Sequence, residues 1–431
     1  MTPEIKHRIE QIRNGEVPKG YKRTRAGIMP CDWCTQKEYK AKDIFYSVSN
    51  KNHNGDYEVL SATQDRGVIP RSQVDIDIKY DDANIGGYKM VDKGDFVISL
   101  RSFQGGIEYS EYTGLVSPAY TVLKPRVSIC DGYYKSYFKT NDFISRLNKG
   151  TYGIRDGKQV GFKDFGEMTI HFPPLPEQQR IAKILSAQDK VIECYEKKIE
   201  QLKQMKKYYL QNMFPKHGET VPKIRFKGFT EPWEQRRISE ILSEKLTNGV
   251  INFQSTKETD VRHINVIDMY TPDKIHTDEL SYSAHDDLVV KKCNVKYGDI
   301  FLTRSSLKPE GIAKPNVLLS FGRFVFDDHL IKLKIDNKKY DPYFVKICLE
   351  SHQLKKQFIM RSKTTAFTTI GQNDIAKCNG FFPDISEQRQ IASLFSSIDE
   401  LITLHQRKLE EEKKKKKALQ QLLLTGIVRT N

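Results

Sequence analysis

The sequence predicts an α+β protein: two β-rich globular domains in pseudo-twofold arrangement, separated by a pair of long antiparallel coiled-coil helices. Three observations predict it. One phrase is written twice at a fixed distance, each copy opens a long run of helical periodicity, and the stretch before each copy carries short, broken strand patterns. LPEQQRIAKILSAQDKVI (Leu175–Ile192) and ISEQRQIASLFSSIDELI (Ile385–Ile402) align without a gap at an offset of 210 residues. In that register Glu177, Gln178, Ile181, Ala182, Ser186, Asp189 and Ile192 meet Glu387, Gln388, Ile391, Ala392, Ser396, Asp399 and Ile402. Repetition on this scale decides architecture before any local reading does.

The match extends upstream. KDFGEMTIHFPPLPEQ (Lys163–Gln178) answers NDIAKCNGFFPDISEQ (Asn373–Gln388) in the same register, and KGDFVISLRS (Lys93–Ser102) resembles YGDIFLTRSS (Tyr297–Ser306) at an offset of 204. A loop insertion in the second copy produces such a change of offset. PCDW, ending at Trp33, and TEPW, ending at Trp233, place the two tryptophans of the chain near the two starts. The expected division is 1–172 for an N-terminal segment and first domain, 173–216 for a long helix, 217–382 for a second domain, and 383–431 for a second long helix and tail.

Each copy of the phrase opens a seam. Ile181, Leu185, Gln188, Ile192, Tyr195, Ile199 and Leu202 alternate four- and three-residue steps, the a/d spacing of a coiled coil. The second run follows through Ile391, Phe395, Ile398, Ile402, His405 and Leu409 and resumes at Leu419 and Leu423. Between them Glu412 and Lys416 fall on the seam inside EEEKKKKK, which predicts weaker or wetter packing there. Each run spans about 38 residues without Gly or Pro, roughly 57 Å at 1.5 Å per residue. Helices of that length project or pair, and a duplicated pair is most symmetric when antiparallel; two ordinary core helices are the plainer alternative. Pro173, Pro174, Pro176 and Pro383 interrupt the preceding strands at positions that helix starts favour.

The domain bodies read differently. DFVISL, YTVLK, MTIHF, DIFLT, NVLLSF and HLIKLKI are short apolar or alternating runs bounded by Gly, Asn, Asp and Ser, as in β-rich α+β domains. Polar loops separate them: SATQDRGVIPRS, RSFQGG, TYGIRDGKQ, TRSSLKPEG and RSKTTAFTT.

Composition narrows the function. With 70 Lys and Arg against 55 Asp and Glu, the formal net charge is +15, the electrostatic footprint of a polyanion partner. No apolar run approaches the ~20 residues that span a bilayer, and the charged start lacks a signal-like stretch, so a cytoplasmic protein without membrane attachment is expected. Seven scattered cysteines make no disulfide framework, and Cys31 and Cys34 have no second pair with which to hold a metal. No phosphate loop, HExxH or GxSxG is present. DPYF (Asp341–Phe344) and FPPL (Phe172–Leu175) depart from the Asn-Pro-Pro-aromatic tetrad of amino-methylating enzymes and read as turn or helix-start sequence.

In VPKGYKRTRAGIMPCDW, GDFVISLRSFQGGI, SPAYTVLKP, FPPLPEQQRIAKILSAQDKVI, RFKGFTEPWEQRRISEIL and FPDISEQRQIASLFSSIDELI, over nearly its full length, the chain resembles the specificity (S) subunits of type I restriction-modification systems. The resemblance implies two target recognition domains, each reading one part of a split site in double-stranded DNA across a non-specific gap. It implies no catalysis and no cofactor on this chain. Two methyltransferase (M) subunits using S-adenosylmethionine, and nuclease/translocase (R) subunits using ATP and Mg2+, are the implied partners. The long helices and their first turns would set the gap and dock the methyltransferase subunits.

Contact residues in such domains differ with each target, so candidates come from chemistry alone. Arg and Gln suit the major-groove edges of G and A, while Lys and hydroxyls suit phosphates. The candidates are Gln64, Arg66, Arg71, Arg101, Ser102, Gln104, Arg155 and Lys158 in the first domain, and Arg304, Ser305, Lys308, Arg361, Lys363 and Thr364 in the second. Two rival classes remain: a single-chain DNA nuclease or methylase with an unrecognised site, and a coiled-coil scaffold without a DNA role.

Overall fold

The computed structural model describes residues 2–34, 38–74, 82–100, 102–149, 160–216 and 218–430. It is a mixed helix and strand structure of two compact units. The first unit comprises Met1–Glu193 and Glu410–Asn431, and the second Cys194–Leu409.

In the first unit the main sheet runs, in spatial order, Phe45–Val48, Thr121–Pro125, Phe96–Ile98 and Glu108–Tyr109, all antiparallel. Phe96, Val97 and Ile98 are all buried, so this strand is covered on both faces, which is why DFVISL reads as an unbroken apolar run. One face packs on an aromatic cluster. Phe45 meets Phe96 at 5.7 Å and Tyr134 at 5.2 Å, and Phe96 meets Phe138 at 5.4 Å, each close to edge-on, the arrangement ring quadrupoles favour.

The second unit repeats the plan with Thr247–Asn248, Leu330–Leu333, Ile300–Thr303 and Pro315–Val317. It adds a sheet in which Val261–Ile264 pairs in parallel with Arg323–Phe326, an element the sequence patterns do not reveal. The DPYF segment starts a helix, Pro342–Glu350: Asp341 accepts from the Phe344 N–H at 2.9 Å, and Pro342 takes the first-turn position where no N–H is needed.

The repeated phrase has a structural reason in each unit. Gln178 is fully buried; its Oε1 accepts from Cys130 N at 2.9 Å and its Nε2 donates to Pro173 O at 2.8 Å. Gln388 does the same with Asp341 N at 3.0 Å and Pro383 O at 2.9 Å. Glu177 receives two guanidinium bonds from Arg429, at 2.7 and 2.8 Å, and the Trp33 indole N–H at 2.9 Å. Glu387 receives two from Arg225, both at 2.8 Å. So the Glu-Gln pair clamps the first turn of each long helix to its own globular unit.

The long helices are Leu175–Asn212 and Ile385–Leu424. Within the first unit, residues 175–193 pack with 410–424. Ile181, Leu185, Leu423 and Leu424 share one core, with Leu419 against it. Gln188 Nε2 donates to the backbone and side-chain oxygens of Glu412, and Lys416 pairs with Asp189 at 2.5 Å. Within the second unit, Tyr195 lies against His405 with ring centroids 5.7 Å apart, Lys206 pairs with Asp399 at 2.8 Å, and Tyr209 meets Phe395. Within each unit taken by itself, rising positions on one helix segment meet falling positions on the other. Ile192, Ile199, Leu202, Ile391, Ile398, Ile402 and Leu409 are buried or half-buried, and the Glu412–Lys416 stretch makes polar contacts, as its sequence predicts.

Candidate nucleic-acid interface

In the first unit the strands Leu60–Thr63 and Gly67–Pro70 form a hairpin whose tip carries Gln64 and Arg66. Gly67 is required there. Its φ is +77°, and a Cβ would lie 2.7 Å from the Tyr109 carbonyl oxygen. Lys139 ties the tip down: its Nζ donates to Gln64 O at 3.2 Å and Gly105 O at 2.9 Å and pairs with Glu108. Gln64 lies on the segment that carries Gln104, and Gln64, Arg66 and Gln104 are all exposed. Arg66 Nη1 also donates to Gln73 O at 3.1 Å, which curls the side chain back over its own loop.

Two candidates of this unit hold local structure. The Ser102 side chain is buried, and its Oγ accepts from Ser99 N at 2.8 Å, so it stabilises the turn after the central strand and is not a surface contact. Arg71 is half-buried and donates from Nε to Ser61 Oγ at 3.3 Å across the hairpin. Arg101, Arg155 and Lys158 lie outside the described residues.

Glu108 supports this corner from below. Burial pushes its carboxyl up to about 7, although Lys139 opposes the shift. With the folded value above the unfolded one, the native state holds the proton more tightly, so stability falls as pH rises from about 4.5 to about 7. We expect Glu108→Gln to flatten that fall in a pH series of unfolding midpoints; an unchanged slope would remove Glu108 as its origin.

In the second unit the fold joins two loops that are far apart in sequence. Ser305–Ser306 pairs with Thr368–Thr369, which pairs with Lys363–Thr364. Ser305 therefore shares one small sheet with Lys363 and Thr364, and Arg304 and Lys308 flank its first strand. Arg304, Lys308, Arg361, Lys363 and Thr364 are exposed, and Ser305 is half-buried. Thr364 Oγ1 lies 3.1 Å from Thr368 Oγ1, and Arg361 stands beside the Cys378 thiol, which burial pushes up to about 11. Leu307, 81% exposed, and Phe367 add exposed apolar surface on the same loops.

A cleft of 390 Å3 opens beside Arg304, lined also by Asn248, Asp328, Gln372 and Asn373. These amides are isolated in sequence and escape motif reading. The repeat register could have located one of them, because Gly371 and Asp374 frame Gln372 as Gly161 and Asp164 frame Phe162 in the first copy. Among the described residues, Asp327, Asp328 and His329 are the His/carboxylate group whose ligand-type atoms lie within 4.8 Å of one another. His329 Nδ1 sits 3.0 Å from an oxygen of each carboxylate, so the three satisfy one another as a turn.

Comparison with known proteins finds two matching segments, one in each half of the chain. The family described as type I restriction modification DNA specificity domain matches residues 36–204 and 230–413. The chain belongs to this family. The type I restriction enzyme MjaVIII specificity subunit of Methanocaldococcus jannaschii is 27% identical over 356 residues, covering 79% of this chain and 80% of that one. The putative type I restriction enzyme MjaX specificity subunit of the same organism is 24% identical, covering 95% and 97%. The crystal structure of a type I restriction-modification S subunit from M. genitalium shares the fold, with a TM-score of 0.53 at 13% identity over 91% of this chain and 96% of that one. Among the described residues, no helix is long and apolar enough to cross a membrane.

Proposed function

We propose that each unit is a target recognition domain reading one part of a split DNA site, and that the two long helices pair as an antiparallel coiled coil and set the gap. The observation that carries this reading is the duplication of the reading loop: Ser99–Gln104 follows Phe96–Ile98 as Arg304–Lys308 follows Ile300–Thr303, with different side chains at the tips. Equivalent frames with unlike loops are what two unlike half-sites require. Matched helix contacts support the spacer. Lys206–Asp399 and Lys416–Asp189 are the same ion pair displaced by 210 residues, and Tyr195 and His405, themselves 210 apart, touch each other.

On this reading the chain is non-catalytic and binds no cofactor. It docks two methyltransferase subunits, which bring S-adenosylmethionine, and the nuclease/translocase subunits, which bring ATP and Mg2+. The positive net charge supplies sequence-independent attraction to DNA, which salt weakens. The test is co-expression with the cognate methyltransferase subunit and modified-base sequencing of the host DNA. A single split motif with methyladenine on both strands is expected. Arg304→Ala should relax one position of one half-site and leave the other half intact. An equal loss on every sequence would make Arg304 a phosphate contact, and unmodified DNA from an intact complex would overturn the reading.

A further inference from the structure

The cleft beside Arg304 contains two amides whose orientation is fixed by the backbone. Asn248 Nδ2 donates to the Asp328 carbonyl at 3.2 Å. The reverse orientation would set two oxygens against each other, so the amide stands one way round. Its Oδ1 then faces Gln372 and accepts from Gln372 Nε2. One carbonyl thereby orients two side chains in sequence. Gln372, half-buried at the cleft rim, keeps Oε1 and its second Nε2 hydrogen without a partner among the described residues.

An amide offering one acceptor and one donor side by side complements the N6 donor and N7 acceptor of adenine in the major groove. Arg304 completes the set. Its backbone is held on both sides, its N–H by His329 O at 2.8 Å and its carbonyl by Ile370 N at 3.1 Å. Its guanidinium is exposed and makes no ion pair among the described residues, which leaves it open to the O6 and N7 of guanine. Held in place before binding, such groups lose little freedom on contact.

We propose that Gln372, oriented through Asn248, reads an adenine in the half-site of the second unit, with Arg304 reading a guanine beside it. The inference rests on the half-site reading above and assigns its specificity-determining residue.

The test uses the full chain co-expressed with its methyltransferase subunit, with modified-base sequencing as readout. Gln372→Ala should make one adenine position of the second half-site degenerate, lowering discrimination there roughly 10- to 100-fold. Gln372→Glu removes the donor and leaves acceptors, so preference at that position should move to cytosine, whose N4 amine donates. Asn248→Ala should reproduce the degeneracy, because the relay loses its anchor, and the first half-site should be unchanged in all three. Gln372→Met, similar in length, serves in place of the alanine variant if that variant fails to fold. An unaltered motif in both Gln372 variants overturns the inference, as does a uniform loss across the second half-site. If the unsubstituted chain marks no split motif, the half-site reading falls and takes this inference with it.

Discussion

Asp399→Ala is expected to destabilise the second unit by about 3–5 kcal/mol, the loss that follows when one partner of a buried ion pair is removed. Asp399 is fully buried on the second long helix and faces three groups: Lys206 at 2.8 Å, Lys346 at 3.3 Å and the Tyr343 hydroxyl at 2.9 Å. Lys346 is equally buried, and without Asp399 its ammonium loses its ion-pair contact, keeping the Pro272 carbonyl at 2.6 Å, the Tyr343 ring at 4.8 Å and the attraction of the Glu350 charge. Lys206 retains Glu350 at 2.9 Å. The equivalent residue of the first unit offers an internal control. Asp189 pairs with Lys416 at 2.5 Å, but its side chain is 51% exposed, so Asp189→Ala should cost about 0–1 kcal/mol. Denaturant unfolding followed by Trp233 fluorescence in a Trp33→Phe background measures the first effect, and Trp33 fluorescence in a Trp233→Phe background the second. Equal costs at the two positions would mean that burial does not set the worth of this ion pair.

Lengthening both long helices by one heptad should widen the recognised gap by about three base pairs, since seven residues add about 10 Å of helix and each base pair about 3.4 Å. The insertions belong between Gln188 and Tyr195 and between His405 and Glu412. There the Gln188–Glu412 and Tyr195–His405 contacts survive on either side. Both half-sites should keep their bases. Modified-base sequencing reads the gap directly, and an unchanged gap in a folded, methylating variant would sink the spacer reading.

Periodicity and repetition carried the architecture because both are local or self-referential. The long helix from Ile181 to Leu202 follows from spacing alone, and the repeated unit plan follows from an alignment of the chain with itself. The reason for the repeated Glu-Gln was not legible. Its explanation lies in Arg429, Arg225, Cys130 and Asp341, which come to it from 47 to 252 positions away. The candidate sites divided along the same line. Side-chain chemistry picked out Ser305 and Lys363, but only strand pairing through Thr368–Thr369 placed them on one sheet, with Arg304 at its edge. Ser102 looked like a surface hydroxyl because a buried turn-stabilising serine and an exposed one are written alike. Gln372 went unseen because its orientation depends on a carbonyl at position 328.

The first unit is not contiguous in the chain: it takes in Glu410–Asn431, including Leu423, Leu424 and the Arg429 that grips Glu177. During synthesis, then, the order of completion inverts the order of writing. Residues 194–409 emerge as one uninterrupted stretch and can close their core while the chain is still growing. The half made first must wait for residues 410–431 to follow, about 10–50 s later at 5–20 residues per second. Until then its Trp33 indole and the first turn at Glu177 lack the arginine that seals them.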